Sequence, residues 1–160
     1  MIFNQMKAVF YNIKALFLIG FLIACSPDQP ADIVRQESNY NHEASGLITS
    51  MLVEGAGKTA SHGDTLIVHY TGWIFDENAI NNQGHKFDSS LDRDKPFEFR
   101  LGVDSLIKGW ELGVMNMAVG EIKELIISPE LGYGERSLGG IPPHSTLIFN
   151  VELIDLIEVD

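Results

Sequence analysis

The side chains that usually carry chemistry are thinly spread in this chain of 160 residues. His42, His62, His69, His85 and His144 stand singly, without an H-E-x-x-H pair or the paired Cys and His of a zinc site, so no metal is expected. There is no G-x-S-x-G elbow, and no Ser/His/Asp arrangement can be read from spacing. "GYGERSLGG" has the glycines of a phosphate cradle but lacks its lysine and its strand-loop-helix setting. What remains is a supply of aromatics near turns: Tyr70, Trp73, Phe75, Phe87, Phe97, Phe99, Trp110, Tyr133 and Phe149. Composition alone makes most of them core residues. Trp110, between Gly109 and Gly113, poses a sharper question: whether one face of its ring is left open for a ligand.

The elements that must position these rings are mostly strands. "GLITSMLVEG" begins the pattern, and "DTLIVHYTGWIF" is a β-branched and aromatic run alternating through Leu66, Val68 and Tyr70. "FEFRL" sets Phe97, Phe99 and Leu101 on one face and Glu98 and Arg100 on the other. "EIKELIIS" and "STLIFNVELIDLI" supply two more strands, the last with Leu147, Phe149, Val151 and Leu153 on one face. Only "DSLIKGWELGVM" changes to a helical period, placing Leu106, Trp110 and Val114 on one stripe. Asp104 or Ser105 is placed to cap its start, and Gly120 follows its end. Two glycines make it a weak helix by propensity, so the rest of the fold must hold it. About five strands and one short helix predict an α+β domain with an antiparallel sheet bent around the helix.

The N-terminus reads differently. Lys7 and Lys14 are the only charges before the unbroken apolar run "ALFLIGFLIA", which is too short to span a bilayer and has the length of a signal-peptide core. It ends at Cys25, the only cysteine, and "LIAC" resembles a bacterial lipobox, in which the bond before cysteine is cut and the thiol receives a lipid. Serine after that cysteine resembles lipoproteins sorted to the outer membrane, facing the periplasm. A polar stretch with two prolines follows and is read as a tether, too short for a long dimerising helix, so a monomer is expected. A single thiol permits no internal disulfide. With 22 acidic residues against 11 basic ones and a net charge of −11, the chain lacks the basic clusters that bind phosphate backbones, which excludes nucleic acid.

Four blocks carry a resemblance that covers about residues 47–157: "VHYTGW", "KFDSSLDRDKPFEFRLG", "LIKGWELGVMNMAVGE" and "ISPELGYGERSLGGIPPHSTLIFNVEL". In this order they resemble the FKBP-type peptidyl-prolyl cis-trans isomerases. The resemblance implies a strongly bent antiparallel β-sheet, a half-barrel, wrapped around one short α-helix. It also implies an enzyme without a cofactor that turns Xaa-Pro bonds in proline-containing polypeptides and binds macrolide inhibitors such as rapamycin. Carried over residue by residue, Trp110 floors the proline pocket, and Tyr70, Phe87, Phe97 and Phe149 form its aromatic walls. Leu106 and Ile107 line its rim, with the Ile107 N–H bonding a substrate carbonyl. Tyr133 offers its hydroxyl to a ligand carbonyl, Asp88 is the pocket carboxylate, Arg93 orients Asp88 and Tyr70, and Ile141 belongs to the flap after Tyr133. Phe99 shares a face with Phe97, and the pocket needs only Phe97.

The expected organisation is a lipoprotein signal peptide at 1–24, a lipidated Cys25 with flexible tether at 25–45, and the isomerase domain at 46–160. "WIFDENAINNQGH" is about seven residues longer than in compact family members and predicts a loop or bulge near the pocket entrance. Gly140 stands where a second bulky rim residue is common. The expected role is folding of exported proteins from a membrane anchor. The rival reading is a proline-pocket binding module or chaperone with little turnover.

Overall fold

Alternating apolar residues set one face of each strand into a common core. The computed structural model describes residues 40–44 and 46–159. The signal peptide, Cys25 and the tether as far as residue 39 lie outside the described residues. In chain order the elements are β1 (Tyr40–Ala44), β2 (Leu47–Val53), β3 (Thr65–Phe75), β4 (Gln83–Ser89), β5 (Phe97–Arg100), α1 (Lys108–Val114), β6 (Ile122–Ile127) and β7 (Leu147–Ile157). Three single 3-10 turns, Ile80–Asn82, Leu91–Arg93 and Pro129–Leu131, join them.

The sheet is antiparallel throughout, in the order β1-β2-β6-β7-β3-β4, and β5 also pairs with β3. Strand β3 is the hinge of this arrangement. Its first half, Thr65 to Val68, pairs with β5, and its second half, Thr71 to Phe75, pairs with β4 on the same edge. The chain between β4 and β5 therefore turns a corner beside Tyr70, at the middle of β3. A bulge between Ile67 and Val68 in the pairing with β7 adds local twist there.

Helix α1 lies against this sheet through Trp110 and Val114, which join Leu66, Val68, Leu125, Ile127, Val151 and Leu153 in one buried cluster. Its glycines permit the approach. A Cβ on Gly109 would stand 2.8 Å from Ile127 Cδ1, and one on Gly113 would stand 2.6 Å from Leu125 Cδ2. No side chain fits at either position, so the helix gives up propensity for contact with β6.

The bent sheet around one helix agrees with the expectation, and four details differ. Among the described residues the strands number seven rather than about five, because β1 falls within the stretch read as tether and β4 starts inside the stretch read as loop and runs on to Ser89. Both are edge strands of polar residues, YNHEA and QGHKFDS, which lack the alternation that marks a half-buried strand. The segment from Trp73 to His85 extends the β3–β4 hairpin, its pairing interrupted by register shifts between Gly72 and Trp73 and between Trp73 and Phe75 where a loop or bulge is expected, and Asn81 and Asn82 take positive φ at its tip. Neither Asp104 nor Ser105 caps α1: the N-cap is Ile107, and Asp104 Oδ2 accepts the Arg100 N–H at 2.8 Å, which closes the preceding turn. The chain leaves the helix through Asn116 at φ 62°, while Gly120, at φ 88°, turns into β6.

Candidate functional site

Between α1, the concave face of the sheet and the chain after β6 lies a cavity of about 320 Å³. Its floor is the indole of Trp110, only 4% exposed. Four rings stand edge-on to it: Tyr70 at 5.2 Å and 90°, Phe149 at 5.3 Å and 90°, Phe99 at 5.9 Å and 68°, and Phe97 at 6.2 Å and 76°. Such contacts are worth about 0.5–1.5 kcal/mol each beyond burial and, acting together, fix the plane of the indole. Phe97 lines the cavity and stacks at 5.3 Å on Phe99, which is buried behind it. The alternation of "FEFRL" thus puts both rings on one face, the first exposed to the cavity.

Phe87 and Phe149 form the opposite wall, edge-on at 5.5 Å and 84°. Both pass over Gly72, where a Cβ would meet Phe87 Cζ at 2.6 Å and Phe149 Cε1 at 2.8 Å. Glycine in "YTGW" is what lets two rings cross β3.

One polar side is built on the corner between β4 and β5. The Tyr70 hydroxyl donates to Asp88 Oδ2, Arg93 Nη1 donates to Asp88 Oδ1, and Arg93 Nη2 donates to the Tyr70 hydroxyl oxygen at 3.3 Å. Arg93 reaches both partners from the 3-10 turn Leu91–Arg93 and does not line the cavity itself. Burial pushes the Asp88 carboxyl up, but the hydrogen bonds from Arg93 and Tyr70 and the guanidinium charge outweigh it and hold the group below its ordinary value. Tyr70 is held above the usual phenol range, first by burial and then by its bond to Asp88.

Beneath this corner sit two buried serines. The Ser90 hydroxyl accepts the Tyr70 N–H at 2.8 Å and meets His69 Nδ1 at 2.9 Å, while the Ser90 N–H bonds the Tyr70 carbonyl at 3.0 Å. Ser89 meets the Thr71 hydroxyl at 2.9 Å. The pair "SS" therefore welds the corner that carries Asp88 and Arg93 to the strand that carries Tyr70. The sequence gives roles to Phe87 and Asp88 of "FDSS" and none to its two serines.

The remaining wall comes from both ends of the chain's irregular segments. Leu106 and Ile107 lie at the rim just before α1, with Ser105 beside them. The Ile107 carbonyl accepts from Trp110 and Glu111, whereas its N–H has no partner among the described residues. Tyr133 follows the 3-10 turn Pro129–Leu131, half-buried, and its hydroxyl has no hydrogen-bond partner among the described residues. Burial pushes that hydroxyl up, and the Asp88 charge pushes the same way.

Ile141 lies in the chain after Tyr133 but turns away from the cavity. Leu138 and Ile141 exchange backbone hydrogen bonds at 3.1 and 2.7 Å across Gly139 and Gly140, both at positive φ. This tight turn directs the Ile141 side chain into the core, where it is 4% exposed, and it does not line the cavity. Arg136, three residues beyond Tyr133, lines the cavity instead. Nothing in "GYGERSLGG" marks it for a role. Among the described residues no group of three His, Cys, Asp or Glu side chains could hold a metal ion.

The arrangement can bind a compact apolar ring on an indole, with an N–H and a hydroxyl free to hold carbonyls on either side. It offers no nucleophile. The chain resembles known proteins in sequence and in backbone. Residues 56–154 match the family model of the FKBP-type peptidyl-prolyl cis-trans isomerase. An FK506-binding protein of Neisseria meningitidis serogroup B is 51% identical over 114 residues, covering 71% of this chain and 98% of that protein. FK506-binding protein 2 of Dictyostelium discoideum is 53% identical over 100 residues, covering 62% and 69%. Among solved structures, FkpA from Escherichia coli superposes with a TM-score of 0.64 at 37% identity, over 76% of this chain and 53% of that one. AtFKBP13 superposes with a TM-score of 0.60 at 39% identity, over 69% and 93%. The family match across residues 56–154, with a relative half identical over nearly its whole length, places the chain in the family of FKBP-type peptidyl-prolyl cis-trans isomerases.

Proposed function

We propose that the chain accelerates Xaa-Pro isomerisation in exported proteins while held by a lipid on Cys25 at the outer membrane, facing the periplasm. The observation that carries the catalytic part is the Trp110 indole, fixed by four edge-on rings beneath an open cavity. Rotation about a peptide bond crosses about 18–20 kcal/mol because resonance is lost in the twisted state. No bond is made or broken, so the groups needed are those that bind the twisted amide better than the planar one.

The proline ring sits on Trp110 between Tyr70, Phe97 and Phe149. The planar amide is the more dipolar form, and a dry aromatic lining solvates it less well than water does, which favours the twist. Carbonyls on the two sides of the ring accept from the Ile107 N–H and the Tyr133 hydroxyl, so the chain ends are held while the amide turns. Asp88 is no general base, since no proton need move. Its carboxylate, fixed by Arg93, holds Tyr70 in place and polarises one wall. The same pocket accepts macrolide inhibitors such as rapamycin, a reading supported by relatives named for binding FK506.

Export and anchoring rest on the apolar run before Cys25, the lipobox resemblance and Ser26, and the tether that follows supports action as a monomer. Two measurements test the proposal. Cys25→Ser should abolish labelling by fatty acid, and unchanged labelling would refute the anchor. A coupled assay on Xaa-Pro peptides should show turnover by the purified domain. Uncatalysed rates from folded protein, with aggregation of a client suppressed, would favour the chaperone reading.

A further inference from the structure

Two charged residues line the cavity, Asp88 and Arg136. The first is committed: both of its oxygens accept hydrogen bonds, from Tyr70 and from Arg93. The second is not. Among the described residues Arg136 makes neither an ion pair nor a side-chain hydrogen bond, although the protein carries twice as many acidic as basic residues.

Its position is fixed from the backbone. The Arg136 N–H bonds the Tyr133 carbonyl at 3.1 Å, and the Gly134 carbonyl accepts from His144 at 2.8 Å, so the turn carrying Tyr133 also carries Arg136. The guanidinium charge reaches the Tyr133 hydroxyl, where it opposes burial and the Asp88 charge. A substrate carbonyl held by Tyr133 therefore places the neighbouring peptide side chain beside a free cation. The summed field of a protein at net charge −11 repels anionic peptides at long range. In the cavity lining Asp88 is held by Arg93, which leaves Arg136 as the charge without a partner among the described residues.

We propose that Arg136 is a specificity-determining residue that selects prolines flanked by an aspartate or glutamate. The proposal rests on the isomerase reading of the same cavity. An arginine presents a planar fork of donors to a carboxylate, which a lysine matches only as a point charge. Because Arg136 is exposed, the preference is modest, about two- to fivefold in kcat/KM.

The test is a panel of matched peptides with Glu, Gln or Lys directly before or directly after proline, turned over by wild type, Arg136→Gln and Arg136→Lys. The ratio of Glu to Gln substrates is read within each protein, so a change in folded fraction cancels. Wild type should favour Glu at one of the two positions by about two- to fivefold, with Lys the poorest. Arg136→Gln should bring the ratio to one, and Arg136→Lys should keep part of it. At about 1 M salt, where screening acts over about 3 Å, the wild-type preference should flatten. A Glu-to-Gln ratio that is the same in wild type and Arg136→Gln overturns the proposal. If no peptide is turned over, the isomerase reading fails by itself. Affinities of the same peptides, read from tryptophan fluorescence, then decide Arg136: the Glu preference must again vanish in Arg136→Gln, and equal affinities in wild type overturn it.

Discussion

The ring of Tyr70 stands perpendicular to the indole of Trp110, with centroids 5.2 Å apart. The same tyrosine donates its hydroxyl to Asp88 and receives one of Arg93's N–H groups at 3.3 Å. One residue of β3 thus joins the apolar floor of the cavity to its polar wall. The floor and the wall can be perturbed separately, which makes their contributions separable.

Trp110→Phe tests the floor. Phenylalanine keeps an aromatic face and most of the burial, so stability should fall by about 1–2 kcal/mol, against about 3–5 for Trp110→Ala. If the indole is the surface on which proline sits, kcat/KM on Xaa-Pro peptides should fall by about tenfold at temperatures where Trp110→Phe is fully folded, equivalent to about 1.4 kcal/mol of lost transition-state binding. Thermal unfolding and turnover measured on one sample separate the two effects. An activity loss that tracks only the unfolded fraction would make Trp110 a core residue and nothing more.

Arg93→Met tests the wall through pH. Asp88 lies below its ordinary value of 3.8, so its folded form adds stability above that value and loses it as pH falls through the lower folded one. Turnover by wild type should therefore be flat from about pH 8 to pH 5 and fall only in stronger acid. Without Arg93 the burial of Asp88 is opposed only by Tyr70 and the Ser89 N–H, and the acid limb should move upward. A pH profile in Arg93→Met that superposes on wild type would show that the guanidinium does not set the charge of Asp88.

How much of this was legible in the chain differs by element. β3, β5 and β7 bury one face against the helix, so Leu66, Val68, Phe99, Val151 and Leu153 announce themselves by alternation. β1 and β4 are edge strands with polar sequences, held by backbone pairing to β2 and β3, and backbone pairing leaves no mark on side-chain type. The aromatic walls were legible as residues, and their resemblance to a family gave them places. Nothing local distinguishes Ile141, turned inward by Gly139 and Gly140, from a flap residue that lines the pocket. The bonds of Ser89 and Ser90 to Thr71, His69 and Tyr70 span about twenty positions and exist only once β3 and the corner meet. Arg136 carries no mark in the sequence, because its lack of a partner among the described residues is a fact of three dimensions.

Gly109→Ala tests why a weak helix is tolerated beside the floor. On propensity alone the substitution should stabilise α1 by about 1 kcal/mol. In the fold its Cβ would stand 2.8 Å from Ile127 Cδ1, with Cγ2 of the same side chain nearer still, and overpacking of this kind costs about 1–3 kcal/mol. The clash should win, lowering stability by about 1–2 kcal/mol and, because Trp110 is the next residue, lowering turnover as the indole shifts under its ring of neighbours. Ile127→Ala removes the clashing atoms and costs about 2–5 kcal/mol alone, and its cost should shrink in the Gly109→Ala background. Denaturant unfolding of the four proteins measures the coupling. Strictly additive losses would mean that the glycine is there for some reason other than the close approach of α1 to β6.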